Sequence, residues 1–310
     1  MRYCLINCYS DLNKGDLGII LSTIERIKLY DDNATINAVS TYAEHDPRFT
    51  NDHTILKTKV ERVFPALNGI LYLKIGKKIL NHPILKVFGL VLAFRFLIYL
   101  IYPKSTILQF ICLSKNERKT IKTLLSSDKI ISKGGSFLCC ENNLRSKVAF
   151  LRQGYIFHVI KRLKKKYYIL GQSIGPAYGN LVLKELNWIL RNSSNTYFRE
   201  VQCLEKYPYI KYNPSPDEII TDMAFTLSPS TTNVSEAIIS SDNKMKVGLT
   251  LKFIKDEFDK NYSTQIKNSI AYLIEKHDAH IYIFPHVQVN EDELGQGSDI
   301  KKAKDIYFSL

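Results

Sequence analysis

The chain has 310 residues, of which 45% are hydrophobic and 24% charged, so it is long enough for two domains of ordinary size and its composition excludes an intrinsically disordered or fibrous protein. The formal net charge of +13 comes mostly from lysine; it suits an anionic small substrate, an anionic membrane surface or nucleic acid, and does not choose among them. Six cysteines (Cys4, Cys8, Cys112, Cys139, Cys140 and Cys203) show neither a CxxC pair nor a metal-ligand spacing with histidine, and are expected to be reduced, mostly buried thiols of a cytoplasmic protein.

The chain opens on an apolar run at 3–9 that reads as a strand, with no cleavable signal ahead of it. The loop that follows contains Asn13, Gly15 and Asp16 and leads into a helix with Ile19, Ile20, Ile24 and Ile27 at helical spacing; Asp16 stands where a first-turn acid caps a helix. A second strand is expected over 35–40. Residues 41–104 read as an irregular insertion, basic and then apolar. Within it, 84–102 (ILKVFGLVLAFRFLIYLIY) is nearly continuously apolar but broken by Lys86 and Arg95. A charge at the centre of a spanning helix costs ~2.5–3.5 kcal/mol, so a helix buried against the sheet or lying in a membrane interface is expected ahead of a span.

A short apolar run at 107–113 and an amphipathic helix at 115–125 precede the centre of the chain. There, Ile130, Ile131 and Ser132 run into Lys133, Gly134, Gly135 and Ser136. After a helical segment at 143–165, Tyr167 to Leu170 run into Gly171, Gln172, Ser173, Ile174, Gly175 and Pro176. This is a βαβ unit with a glycine loop after each strand, and a parallel crossover opens both loops on one sheet edge. Glycine there lets backbone amides approach an anion, although neither loop has P-loop or GxGxxG spacing. A helix around Trp188, a strand at 196–198 ending at Arg199, a short helix and a strand edge at Ile219 and Ile220 follow. Residues 1–228 thus read as one Rossmann-like domain with the insertion at 41–104, residues 229–243 as a Ser/Thr/Asn-rich linker, and 244–310 as a second, incomplete domain. That last segment has strands at 246–253 and 280–284, helices at 264–276 and 299–309, and Pro285 and His286 at the end of its second strand.

Together these motifs resemble the polysaccharide pyruvyl transferase family. The resemblance is carried by the N-x-G-D turn (Asn13, Gly15, Asp16), the GG-S strand end (Gly134, Gly135, Ser136), GQSIGP from Gly171, the Phe198, Arg199, Glu200 segment, the D-x-A-F turn (Asp222, Ala224, Phe225) and the Pro285, His286 turn, in the family's order. It implies an α/β fold of two Rossmann-like parallel-sheet domains as in GT-B glycosyltransferases. It also implies transfer of pyruvate from phosphoenolpyruvate to a sugar hydroxyl as a ketal in surface polysaccharide biosynthesis. The family's R-D-x-x-S pattern is here Arg199, Glu200, Val201, Gln202, Cys203, and its last R-x-H and G-x-P segments have no counterpart.

Such chemistry must hold two anionic groups, donate one proton and accept another. Arg199 is expected to bind phosphate or carboxylate through its fork of donors. His286 is expected as acid or base, since imidazole can serve in either role, with Asp16 and Asp222 orienting the sugar or acting as base. Asn13, Gly134, Gly135, Ser136, Gly171, Gln172, Ser173 and Gly175 would line the substrate cradle. No metal and no resident cofactor is required, phosphoenolpyruvate being a substrate. Expected partners are a sugar or lipid-linked glycan acceptor and a peripheral membrane contact through 84–102, at the inner face of the membrane. A GT-B-like glycosyltransferase and a truncated, non-catalytic glycan- or partner-binding protein share these features; nucleic acid is not expected, because no recognition motif accompanies the charge.

Overall fold

The computed structural model describes residues 1–67, 102–207, 215–229, 244–251, 258–288 and 299–308; most of 84–102 and of the expected linker lies outside them. The chain divides into two compact units, Met1–Asp11 with Asp16–Leu227, and Leu12–Gly15 with Ser228–Leu310.

The first unit is built on a seven-stranded parallel sheet. Its strands are β1 (Arg2–Cys8), β2 (Thr35–Ser40), β3 (Arg62–Phe64), β4 (Lys129–Ser132), β5 (Gly135–Cys140), β6 (Tyr167–Ala177) and β7 (Asn195–Phe198). β3, β2, β1, β4 and β6 are neighbours in that order. β5 continues β4 along the same flank of β6, and β7 pairs with the other flank. The chain therefore runs outward from β1 to one edge through β2 and β3, and then to the other through β4, β6 and β7. This is the Rossmann order, with its switch point between the C-terminal ends of β1 and β4.

β1 is buried on both faces, as a central parallel strand must be. Tyr3 and Leu5 pack with Ile20, Ile24 and Ile27 of α1 (Lys14–Tyr30), while Cys4 and Ile6 join the larger cluster on the opposite face. That cluster includes Ile121 and Leu124 of α5 (Lys115–Ser126), Phe157 and Ile160 of α6 (Leu144–Arg162), and Leu186 and Ile189 of α7 (Asn180–Asn192). α5 is started by a capping box in which Ser114 accepts from the Glu117 amide and Glu117 accepts from the Ser114 amide; α6 is started by Asn143, whose side chain accepts from the Ser146 amide at 2.8 Å.

Two expectations change, and one run whose element was left open is settled. Residues 41–67 are not irregular: α2 (Pro47–Asn51), α3 (Leu56–Lys59) and β3 make them part of the sheet unit, with β3 paired to β2. The apolar run at 107–113 is a helix, α4 (Thr106–Cys112), capped by Ser105. The GQSIGP segment is not a loop but the second half of β6, and Gly135 begins β5. Gly135 (φ +109°) and Gly171 (φ +54°) take backbone angles closed to most side chains, and the ladders shift register beside both. Turn-type composition here makes a kink within continuing strands, because β5 supplies the partners that keep the chain extended.

In the second unit β8 (Lys246–Leu251) and β9 (His280–Pro285) pair in parallel across α9 (Phe258–His277), and α10 (Asp299–Tyr307) follows. Leu251, Ile270 and Ile306 are its buried centre. Cys4, Cys8, Cys112 and Cys140 are buried free thiols and Cys139 an exposed one; α8 (Gln202–Lys206) completes the helices named here. Among the described residues no helix is long and apolar enough to cross a membrane.

Candidate functional site

β7 ends at Phe198, so Arg199 leaves the sheet at its C-terminal edge, where its amide lies 3.4 Å from the carbonyl of Gln172 on the kinked part of β6. Its guanidinium donates from Nε to Ser173 Oγ and from Nη1 to Asp222 Oδ2 at 2.5 Å. The other carboxylate oxygen of Asp222 accepts from the Ala224 amide at 2.8 Å and so starts the 3-10 turn Met223–Thr226. That turn packs over Gly171, where an added Cβ would stand 3.5 Å from Met223 Cγ. Arg26 of α1 donates to Thr226 O at 3.1 Å and ties the turn to the sheet unit. Arg199 and Asp222 are 26% and 17% exposed, shielded enough to favour pairing yet open to a ligand. The guanidinium has five N–H donors, and these two bonds use two of them.

A second cation stands on the same edge. Lys133, directly after β4, is 3% exposed, and its Nζ is paired with Asp16 in the first turn of α1. Its amide donates to Ile6 O at 3.2 Å across the switch point, and its Nζ lies 5.8 Å from the centre of the Phe137 ring. Gly135 is beside this pair: a Cβ there would stand 3.5 Å from both Asp16 Oδ1 and Lys133 Nζ. A Cβ on Gly134 would overlap the carbonyl oxygens of Leu170 and Gly171, so that glycine is required by the close approach of two backbones. Burial pushes the Cys8 thiol at the end of β1 up to about 12, against the opposing pull of the Lys133 charge.

Thus Asp16, Gly134, Gly135, Gly171, Gln172, Ser173, Arg199 and Asp222 lie along one edge of the first unit. Ser136 is exposed on β5. Gly175 lies within β6, where a Cβ would overlap that of Cys139; packing between β5 and β6 accounts for this glycine. Gln172 is fully buried, donates from Nε2 to Ser173 O at 2.6 Å, and has no hydrogen-bond partner for Oε1. Asn13 and His286 belong to the second unit. There the Lys14 amide donates to His286 O at 3.1 Å, Asn13 bridges Val287, and Asp299 accepts from the Val287 amide at 2.8 Å, fixing the exit of β9.

Sequence reasoning passed over Lys133, although it directly precedes the quoted GG-S motif; a lysine directly after a buried strand was the signal. It also passed over Asp11, Ser40 and His53. His53 is fully buried, with Nε2 2.7 Å from Ser40 Oγ and Nδ1 3.8 Å from Asp11 Oδ1. Asp11 Oδ2 accepts from the amides of Ile55 and Leu56 at 2.7 and 3.0 Å. Ser40 and Asn7 line a cavity of about 20 Å³ with Arg152 and Gln153 of α6, room for about one water. Among the described residues no group of His, Cys, Asp and Glu is arranged to hold a metal.

Several solved structures are similar to the chain. A candidate UDP-N-acetylglucosamine 2-epimerase from Listeria monocytogenes is 8% identical with a TM-score of 0.45; the alignment covers 98% of this chain, which spans 66% of that protein's length. The heptosyltransferase WaaC of E. coli, solved with ADP, is 12% identical over 99% of this chain and 72% of its own, TM-score 0.35. The E. coli ADP-heptose LPS heptosyltransferase II is 13% identical over 100% and 69%, TM-score 0.32. At these values none bears on activity. No relative was found among curated protein sequences. The family model for polysaccharide pyruvyl transferase, however, matches residues 13–308, nearly the whole chain and every motif on the sheet edge, and the chain belongs to that family.

Proposed function

We propose that this protein transfers pyruvate from phosphoenolpyruvate to a sugar as a ketal during the assembly of a surface polysaccharide. The observation that carries this reading is the pair of cations, Arg199 and Lys133, each on the C-terminal edge of the parallel sheet and each beside a carboxylate, Asp222 and Asp16. The donor has a phosphate and a carboxylate to be held, and a bidentate guanidinium is suited to either. Protonation at C3 makes C2 electrophilic; one sugar hydroxyl adds to C2 and a second displaces inorganic phosphate, so that of the two hydroxyl protons released one replaces that taken up at C3 and the other leaves on the phosphate as hydrogen phosphate. His286 is assigned the proton transfer to C3, and Asp222 or Asp16 the acceptance of a hydroxyl proton. Asn13, Gly134, Gly135, Ser136, Gly171, Gln172 and Ser173 are assigned to the surroundings of the substrates, Gly175 being accounted for by the packing of β5 on β6. The acceptor is a sugar or lipid-linked glycan, which puts the protein at the inner face of a membrane, with 84–102 as the contacting segment.

The test is release of phosphate from phosphoenolpyruvate in the presence of galactosyl, glucosyl and mannosyl acceptors. Acceptor-dependent release that falls by about 10²–10³ in both Arg199→Ala and His286→Ala is expected. Release that needs no acceptor, or an Arg199→Ala protein as active as the parent, would overturn the assignment.

A further inference from the structure

α4 presents an apolar face that is exposed among the described residues of its unit. Ile107, Phe110 and Ile111 are 71%, 73% and 54% exposed, and Tyr102, just before the helix, is 66% exposed. Positions i, i+3 and i+4 share one helical face, while Cys112 turns into the core. Single exposed apolar residues are ordinary, but four within ten residues make a patch.

The rim of the patch is cationic. The Arg118 guanidinium lies 5.1 Å from the centre of the Phe110 ring and donates to Phe110 O and Leu113 O, which keeps its charge beside the apolar face. Lys104 and Arg162 line a groove of about 390 Å³ with Tyr102, Ser105 and Leu108. Lys115 and Lys119 are exposed on α5. Between 102 and 122 the sequence has one acid, Glu117, and it is buried in the capping box. Glu44, which reaches this region, is bound by Ser114 Oγ at 2.6 Å and Asn116 Nδ2 at 2.5 Å.

We propose that α4 and its basic rim dock on an anionic phospholipid bilayer. Ile107, Phe110 and Ile111 enter the headgroup boundary, and Lys104 and Arg162 take lipid phosphates in the groove. The combination of an apolar face with several cations, beside which Glu117 is buried and Glu44 is hydrogen-bonded, matches an anionic lipid surface in both polarity and sign. The proposal deepens the reading of a lipid-linked acceptor, and apart from Tyr102 it does so through residues other than 84–102.

The experiment is sedimentation of the full chain with vesicles of phosphatidylcholine alone or mixed with phosphatidylglycerol. It involves no pyruvyl transfer, so its outcome and that of the activity assay are separable. Binding is expected to the mixed vesicles, weakened by salt. It should fall about fivefold for each of Lys104→Glu and Arg162→Glu, and about tenfold or more in the variant carrying Ile107→Ser, Phe110→Ser and Ile111→Ser. All these side chains are exposed, and unchanged melting profiles would confirm that the variants fold. Equal binding to both vesicle types, or binding retained in every variant, overturns the proposal. So does self-association that is lost on Phe110→Ser without any vesicle binding, since a second copy of the chain would then be the occupant.

Discussion

At the scale of single residues the Lys133 and Asp16 pair is the least replaceable feature of the site. A buried cation deprived of its carboxylate costs about 3–5 kcal/mol. Asp16→Asn is therefore expected to lower the melting temperature as well as activity, whereas Arg199→Ala, which empties a partly open position, lowers activity with little effect on melting. Neither partner of the buried pair can be exchanged alone, so relatives that have lost one should have lost the other. His53 is equally constrained, being fully buried against Ser40; His53→Ala should cost about 2–4 kcal/mol in a denaturant titration, through the cavity left and the bond lost. Asp128 gives a pH test. Its carboxylate accepts from the Arg2 amide at 2.8 Å, and that bond holds its pKa below the usual carboxylate range. A depressed folded pKa contributes stability above the ordinary carboxylate range that is lost as pH falls through the folded value. Asp128→Asn should thus flatten the acid limb of the stability curve, as read by melting at a series of pH values below 5.

At the scale of elements, the helices and most strands were legible because burial follows period. Ile20, Ile24 and Ile27 on α1, and the buried run of β1 between helices on both faces, are patterns that the sequence displays directly. What could not be read was the fate of the glycines. A run such as Gly171 to Pro176 has the composition of a turn, and only the presence of β5 alongside decides that it stays extended. The same ambiguity hid β3, three residues long and recognisable only from its pairing with β2. The edge positions of Arg199 and Asp222 were readable, since each follows a strand or begins a turn; their mutual contact was not, because 23 residues separate them and nothing local encodes the meeting. Gly175→Ala tests the strand account. It should destabilise by about 1–3 kcal/mol through the clash with Cys139, and Cys139→Gly, which removes the obstructing Cβ, should recover most of that loss. If Gly175 served only to admit substrate, the second change would rescue nothing.

At the scale of the whole molecule, the net charge of +13 makes every encounter with an anionic substrate sensitive to salt. If phosphoenolpyruvate is the donor, as proposed, its KM is expected to rise by about 2–5 times between low and physiological ionic strength, while that for an uncharged sugar acceptor stays level. β6 pairs with β4, β5 and β7, and Gly171, Gln172 and Ser173 lie in its length. The segment assigned to the substrate cradle is thus also, among the described strands, the one with the most strand neighbours. Its amide hydrogens should be among the last to exchange with solvent, and on heating, the reaction should stop only when the sheet itself melts. Resistance to heat and retention of activity are then one property in this protein, and a variant selected for either should be found to have gained the other.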